Sequence, residues 1–292
     1  MGLGEALAIL SALAWSAGVI IYKRLGETIA PTRLNLMKNL IVLGFLLPSL
    51  ALIGGPPPQL GAADLAITLL SGMIGIALAD SLYLTALNRL GAARMGILGN
   101  FYSPFVILLS FVFLGERLQP LQMAGFVLVT SGVLVVGGRT ATEPAQRREL
   151  RRGLLLGIGS IALMALAIVL VKRVLETQPL IWMVALRMAG GVGGLLLLFA
   201  LRREAPWPRA EERARIRWPV VLLGAFVGQY LSMLFWLGGY KYTSASVAAI
   251  LNETTSIFIV ILAAIFLHEA LTRRKLLGVA LTISGVACML LA

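Results

Sequence analysis

Residues 84–136, LTALNRLGAARMGILGNFYSPFVILLSFVFLGERLQPLQMAGFVLVTSGVLVV, return at residues 237–289 as LGGYKYTSASVAAILNETTSIFIVILAAIFLHEALTRRKLLGVALTISGVACM, with sixteen identical positions at a constant offset of 153. The coincidences extend beyond the apolar residues that membrane helices share. Ser103 falls on Ser256, Glu116 on Glu269, and Ser131-Gly132-Val133 on Ser284-Gly285-Val286. Upstream the match continues at an offset of 149, pairing Gly4 with Gly153, Lys23-Arg24 with Lys172-Arg173, Glu27 with Glu176 and Lys38 with Arg187. The four-residue difference falls in the polar loop near 202–217. One unit is therefore written twice.

Each copy reads as membrane helix. The chain is 59% hydrophobic and 13% charged, with mean hydropathy +0.92, which leaves little for a soluble domain. Apolar stretches of about 20 residues, enough at about 1.5 Å per residue to cross the hydrocarbon, recur ten times. They lie near 2–22, 31–53, 64–87, 92–114, 119–137, 153–171, 179–201, 218–240, 244–267 and 275–291. The expected fold is an all-α integral membrane protein of ten transmembrane helices in two inverted five-helix repeats. The first covers 1–137, a cytoplasmic linker 138–152, and the second 153–292. Five is odd, so the second copy enters the bilayer in the opposite sense, as in secondary transporters that open a midplane site to either side. The first stretch reads as an integral helix and not a cleaved leader, because Lys23 and Arg24 follow it and it has a repeat partner.

The net charge of +12 raises a nucleic-acid reading that its distribution removes. With these spans, nineteen Lys and Arg fall on alternate loops, including Arg147, Arg148, Arg151, Arg152, Arg202 and Arg203, whereas Arg117, Lys172, Arg173 and Lys241 are alone on the other face. The positive-inside rule assigns the basic face to the cytoplasm, so the protein is expected in the cell's inner membrane with both termini external.

At this point the residues carry a resemblance. Gly91-Ala92-Ala93-Arg94-Met95 through Pro104, then Phe113-Leu114-Gly115-Glu116-Arg117-Leu118 and Gly125 before Ser131-Gly132-Val133, resembles the fourth and fifth helices of the EamA-type drug/metabolite transporter superfamily. The second copy, from Thr243-Ser244-Ala245 through Leu267-His268-Glu269-Ala270-Leu271, resembles the same element. The resemblance implies a ten-helix secondary carrier, commonly an exporter of amino acids, other metabolites or drugs, with an aromatic amino acid exporter branch. Two positions depart: His268 stands at the place of Gly115 and Ile257 at that of Pro104, so the ninth helix is expected to be straighter than the fourth.

Four ionisable groups lie inside the spans: Lys38, Asp80, Arg187 and Glu253. Such groups are costly in lipid and persist where they face protein, water or a partner. The expectation is two polar clusters, Lys38 with Asp80 and Arg187 with Glu253, on opposite sides of the midplane. Only the cations are repeat mates; Asp80 corresponds to Met233 and Glu253 to Asn100. Trp15, Tyr83 and Tyr102 are expected to line a cavity with Asn100, their planar faces suited to a flat solute. Tyr240 and Tyr242, near a span end, read as interfacial belt residues. Pro104 is expected to kink its helix and free the carbonyl of Asn100. Gly190-x-x-x-Gly194 and Gly153-x-x-x-Gly157 read as close helix contacts.

No enzyme is expected. The single histidine, His268, and single cysteine, Cys288, form neither a triad nor a metal cluster, and no phosphate-cradling loop implies an ATPase. No cofactor and no metal are called for. The expected partners are a small-molecule substrate, the lipid bilayer and a proton as candidate coupling ion, with no nucleic acid, and a monomer suffices to enclose a pathway. The working reading is export of amino acids or related metabolites; an exchanger of phosphorylated or nucleotide-sugar solutes and a channel-like uniporter are the alternatives.

Overall fold

The computed structural model describes residues 2–115, 120–136, 144–208, 213–214 and 216–290. Among them ten helices follow in order: α1 (Leu3–Leu25), α2 (Pro31–Ile53), α3 (Ala62–Leu90), α4 (Ala92–Leu114), α5 (Pro120–Val136), α6 (Pro144–Thr177), α7 (Leu180–Arg202), α8 (Trp218–Tyr242), α9 (Ala245–Phe266) and α10 (Arg273–Leu290). Eight are long and apolar enough to cross a membrane. In α5 and α10 the apolar stretches are shorter, Met123–Gly132 and Leu276–Gly285.

Local chemistry sets the ends. Pro31 opens α2 at a position where its missing N–H is not needed. Gly54, Gly55 at φ +65° and the prolines 56–58 stop it. Gly115 caps α4 in the left-handed conformation at φ 75°, and in the second copy His268 adopts that conformation at φ 53° without being glycine. α6 has 34 residues, about 51 Å at 1.5 Å per residue, and exceeds the roughly 30 Å hydrocarbon. Its first turns therefore project beyond the lipid, with Arg148, Arg151 and Arg152 exposed. The linker over 138–152 is thus helical from Pro144, and Glu149 at its surface pairs with Arg89 at 2.9 Å and Arg152 at 3.2 Å.

Duplication is visible in the irregularities. α3 widens into a π-helical segment over Met73–Ala79 and α8 over Phe226–Leu231, starting 153 residues apart. α4 breaks between Ala92–Gly99 and Tyr102–Leu114, and α9 between Ala245–Asn252 and Thr254–Phe266. The expectation of a straighter α9 is thus overturned. Pro104 is the third residue of its half-helix, within the first turn, whose N–H groups lack intrahelical partners in any case. Proline does not make the break; it tolerates one that the second copy makes with Ile257.

The halves interlock. α1 packs on α8 and α9, and its repeat mate α6 packs on α3 and α4. The first half of α4 lies on the second half of α9, and the second half of α4 on the first half of α9. Two helices paired in that crossed order run antiparallel, as inverted copies must. α5 and α10 pack on one another outside this core. Small residues set the closest approaches: a Cβ on Gly18 would come within 2.4 Å of the Gly228 Cα, and one on Gly190 within 2.3 Å of the Leu69 carbonyl oxygen. Such contacts between helices draw on van der Waals packing, since lipid is as apolar as the helices themselves.

Candidate functional site

Where α4 and α9 break, the bundle holds a cavity of about 150 Å³ lined from α1, α3, α4, α6, α7, α8 and α9. One water needs about 10–15 Å³ on this measure, so the space takes several waters or part of a compact organic solute. Of the residues expected at the site, Trp15, Asp80, Tyr83, Asn100, Tyr102, Arg187 and Glu253 all line it. Lys38 does not; it lies behind Asp80, 1% exposed.

Behind the wall, Lys38 and Asp80 come together. The Lys38 Nζ donates to Asp80 Oδ2 at 2.6 Å and to Gln229 Oε1 at 2.6 Å, and stands 5.4 Å from the Tyr22 ring centre and 5.9 Å from that of Trp15. Asp80 is the first residue after the π segment of α3, and Gln229 belongs to the π segment of α8. A carbonyl of the first segment, Ile76 O, is taken by the Asn35 amide at 2.7 Å. This satisfies backbone that lipid could not.

The expected second pair does not form. Among the described residues no carboxylate lies within ion-pair distance of Arg187. Its guanidinium instead donates to Ser71 Oγ and to the Ala167 carbonyl at 3.3 Å, sits 5.5 Å from the Trp236 ring centre, and leaves Nε without a hydrogen-bond partner. Glu253 accepts the backbone N–H of Ser103 at 2.9 Å on Oε1. The reason is the helix breaks. Glu253 is the residue before the second half of α9 and reaches the first turn of the second half of α4, so the positive ends of two half-helices face its carboxylate. Sequence spacing placed charges by depth but carried no information about that rival partner.

Aromatic side chains wall the cavity. Trp15 and Tyr83 stand with ring centres 5.5 Å apart, and Trp236 packs edge-on to Tyr240 at 5.3 Å. Tyr240 is fully buried and donates to the Tyr102 hydroxyl at 2.8 Å, so it is not an interfacial residue. Tyr242, half exposed at the helix end, fits that description. Gln229, Ser232 and Asn252 line the cavity without having been singled out. The signal was available for two of them: Gln229 and Ser232 stand three apart on one face of an otherwise apolar span.

Polar contacts tie the ends of the broken helices to their neighbours on both faces of the bundle. On one, Glu269 accepts the N–H groups of Ala92 and Ala93 at 3.1 and 3.3 Å, capping α4, while Arg24 donates to the Phe266 carbonyl at the end of α9. On the other, Arg173 donates to the Phe113 carbonyl at 3.1 Å and Lys172 to that of Thr243 at 3.2 Å. Arg24 and Arg173 are repeat mates, as are Phe266 and Phe113. Glu116, the mate of Glu269, lies outside the described residues.

The sequence profile of the EamA-like transporter family matches residues 2–138 and 151–291, one match per repeat. The chain belongs to the EamA-like transporter family. Among relatives of this EamA-like chain, the Bacillus subtilis (strain 168) protein described as uncharacterized transporter YvbV is 26% identical over 230 residues, 75% of this chain and 70% of that one. The uncharacterized transporter YetK of the same organism is 28% identical over 128 residues, 44% of this chain and 37% of its own. A protein crystal structure with 19% sequence identity superposes with a TM-score of 0.74, covering 99% of this chain and 97% of the other, and so shares the fold. The chain is thus a multi-pass membrane transporter of ten helices in two repeats.

Proposed function

We propose that the protein is a secondary transporter of the inner membrane that exports amino acids or related small metabolites by alternating access, and that it works as a monomer. The observation that supports this is a pair of separated ionisable groups in one aromatic-walled cavity: among the described residues, the Arg187 guanidinium has no carboxylate and the Glu253 carboxyl no cation within ion-pair distance. A cavity that holds a basic and an acidic group apart from one another at membrane depth is complementary to a solute that carries both signs. In this reading the ammonium of a zwitterion faces Glu253, its carboxylate faces Arg187, and an apolar or aromatic side chain lies against Trp15, Tyr83 or Trp236. The phosphorylated-solute alternative loses support, because one of its two cations, Lys38, is engaged by Asp80 and Gln229 outside the cavity lining.

The remaining parts of the reading follow the charge distribution. Basic loops face the cytoplasm, both termini lie outside, and export carries solute from the basic face outward. Proteoliposome uptake with labelled aromatic amino acids, other amino acids, organic cations and phosphorylated compounds is the test. Amino acids are expected to be transported and to compete with one another, with decarboxylated amines and deaminated acids at least tenfold weaker. Glu253→Gln is expected to raise the amino acid KM about tenfold or more, the scale of one charge-assisted hydrogen bond. Transport of phosphorylated compounds with no amino acid uptake would overturn the reading.

A further inference from the structure

We infer that the solute's side chain enters an apolar lobe of the cavity beside the α4 break, and that Gly99, by carrying no side chain, sets how large a side chain the protein accepts. The inference rests on the amino acid reading above and narrows its substrate class to zwitterions with long apolar side chains. Its first support is the shape of the lining. At the breaks the repeat pairs the cavity residues, Gly99 and Asn100 on α4 with Asn252 and Glu253 on α9. Beyond them the relation ends. The lining continues back along α4 to Gly96 and Met95, whereas their mates Ala249 and Ala248 are fully buried in packed core and lie off the cavity. Met95, Gly96, Gly99 and Asn100 share one helical face. The cavity therefore extends to one side of the breaks, toward the start of α4 and the end of α9, where Ile259 joins the wall.

Its second support is the chemistry of that extension. Met95 and Gly96 of α4, Ile259 of α9, and Ile161 and Met164 of α6 wall it, and no charged or hydroxyl side chain is among them. Two are thioethers, which adapt to whatever packs against them. Along α6 the residues Ile161, Met164 and Ala167 follow at steps of three, and the Ala167 carbonyl is the one that Arg187 holds. The lobe thus leads away from the guanidinium, over about 9 Å from Ala167 to Ile161 at about 1.5 Å per residue. An amino acid whose carboxylate meets Arg187 has room along this wall for a long apolar side chain, and the wall offers no partner to a polar one.

Its third support is Gly99 itself. The residue is half-buried and ends the first half of α4 in ordinary helical backbone, so no left-handed turn requires glycine there. Packing does not require it either. Among the described residues three glycines line the cavity. A Cβ on Gly75 would come within 3.0 Å of the Ala167 Cβ and one on Gly96 within 2.8 Å of Ile259 Cγ2, but one on Gly99 would have nothing within 4 Å. The repeat also accepts a side chain at this place: the mate Asn252 carries one, its amide donating to the Ala248 carbonyl at 2.8 Å. With neither conformation nor packing calling for glycine, what the missing side chain leaves is open cavity, and any larger residue at 99 would stand where the solute does.

Two measurements test this. In proteoliposomes, kcat/KM for L-leucine divided by that for L-alanine is expected to exceed about ten for the unaltered protein, the scale on which apolar pockets separate side chains of different length. The ratio should fall to about one in Gly99→Val, with Gly99→Ala between, and it does not depend on how much of a variant folds. A ratio near one in the unaltered protein overturns the proposal, as does a ratio that Gly99→Val leaves unchanged. The second measurement needs no solute. In thermal unfolding in detergent, Gly96→Val drives a side chain into Ile259 and should fall several degrees, whereas Gly99→Val enters open space and should melt at or above the unaltered protein. If neither amino acid moves, the amino acid reading fails while the melting pair still decides this one: equal losses at the two glycines overturn it.

Discussion

Gly190 offers the sharpest test of how this bundle is held together. A Cβ added there would stand 2.3 Å from the Leu69 carbonyl oxygen and 2.8 Å from the Leu69 Cα, where ordinary contact begins near 3.4 Å. Even alanine therefore requires α7 to retreat from α3 by about 1 Å, and close-packed interiors resist such movement. Overpacking of this order costs about 1–3 kcal/mol. Alanine's better helix propensity returns about 1 kcal/mol of that, so the single variant is an ambiguous measurement. Gly193 removes the ambiguity. It lies on the same helix and faces outward, with nothing within 4 Å of its added Cβ. Gly193→Ala keeps the propensity gain without the clash, and the difference between the two variants isolates the contact. Thermal unfolding in detergent, followed by the loss of the monodisperse fluorescence peak, is expected to place Gly190→Ala several degrees below Gly193→Ala. A functional consequence follows from the same geometry. A Cβ on the neighbouring Gly72 would reach the Arg187 carbonyl oxygen at 2.0 Å, and Ser71 next to it holds the Arg187 guanidinium. Separating α3 from α7 should thus loosen Arg187 and raise the KM for solute. Should the two alanine variants melt together and transport alike, α3 and α7 do not approach as described.

Further perturbations probe other joints. Glu269→Ala removes the acceptor for Ala92 and Ala93 and is expected to destabilise by about 0.5–2 kcal/mol, with Glu269→Gln between it and the unaltered protein in the same melting assay. His268→Gly relieves a left-handed backbone at φ 53° and should be neutral or stabilising by up to about 1 kcal/mol, while His268→Val should lower the melting midpoint. In a Cys288→Ser background, a cysteine at Gln59 is expected to react with an impermeant thiol reagent on intact cells. One at Glu204 should react only after permeabilisation, and the reverse result would invert the orientation argued from the basic loops.

The fold was legible in the sequence because lipid makes helices obligatory and the duplication keeps one constant offset, with sixteen identities, over 84–136 and 237–289. An odd number of spans per copy then left the second copy no choice of direction. The site was legible in part. Buried charge in an apolar span has few explanations, which is why Lys38, Asp80, Arg187 and Glu253 could be picked out and why seven of the eight expected residues share a cavity. Pairing was not legible. Glu253 engages the Ser103 N–H and not Arg187 because α9 breaks beside it, and the break is a backbone feature whose expected cause, Pro104, has no counterpart in the second copy. Tyr240 was misread for a related reason: nearness to a span end suggests the interface, but its ring is buried against Trp236 and its hydroxyl finds Tyr102 inside.

The symmetry of the scaffold and the asymmetry of its charges have separate consequences. Arg24 grips the carbonyl of Phe266 on one face as Arg173 grips that of Phe113 on the other, and α3 and α8 carry π segments in matching places. Contacts of the same kind thus recur at both ends of the bundle. A solute or ion shifts an equilibrium between two states only by binding one state better than the other. The repeats cannot supply that preference, because whatever they build on one face they build on the other. Residues that break the relation can, and among them Asp80 against Met233 and Glu253 against Asn100 are each a carboxylate with no mate in the other copy. Any such preference is therefore to be sought among the residues that differ between the copies, these two carboxylates included, and not in the glycines and arginines that hold the halves together.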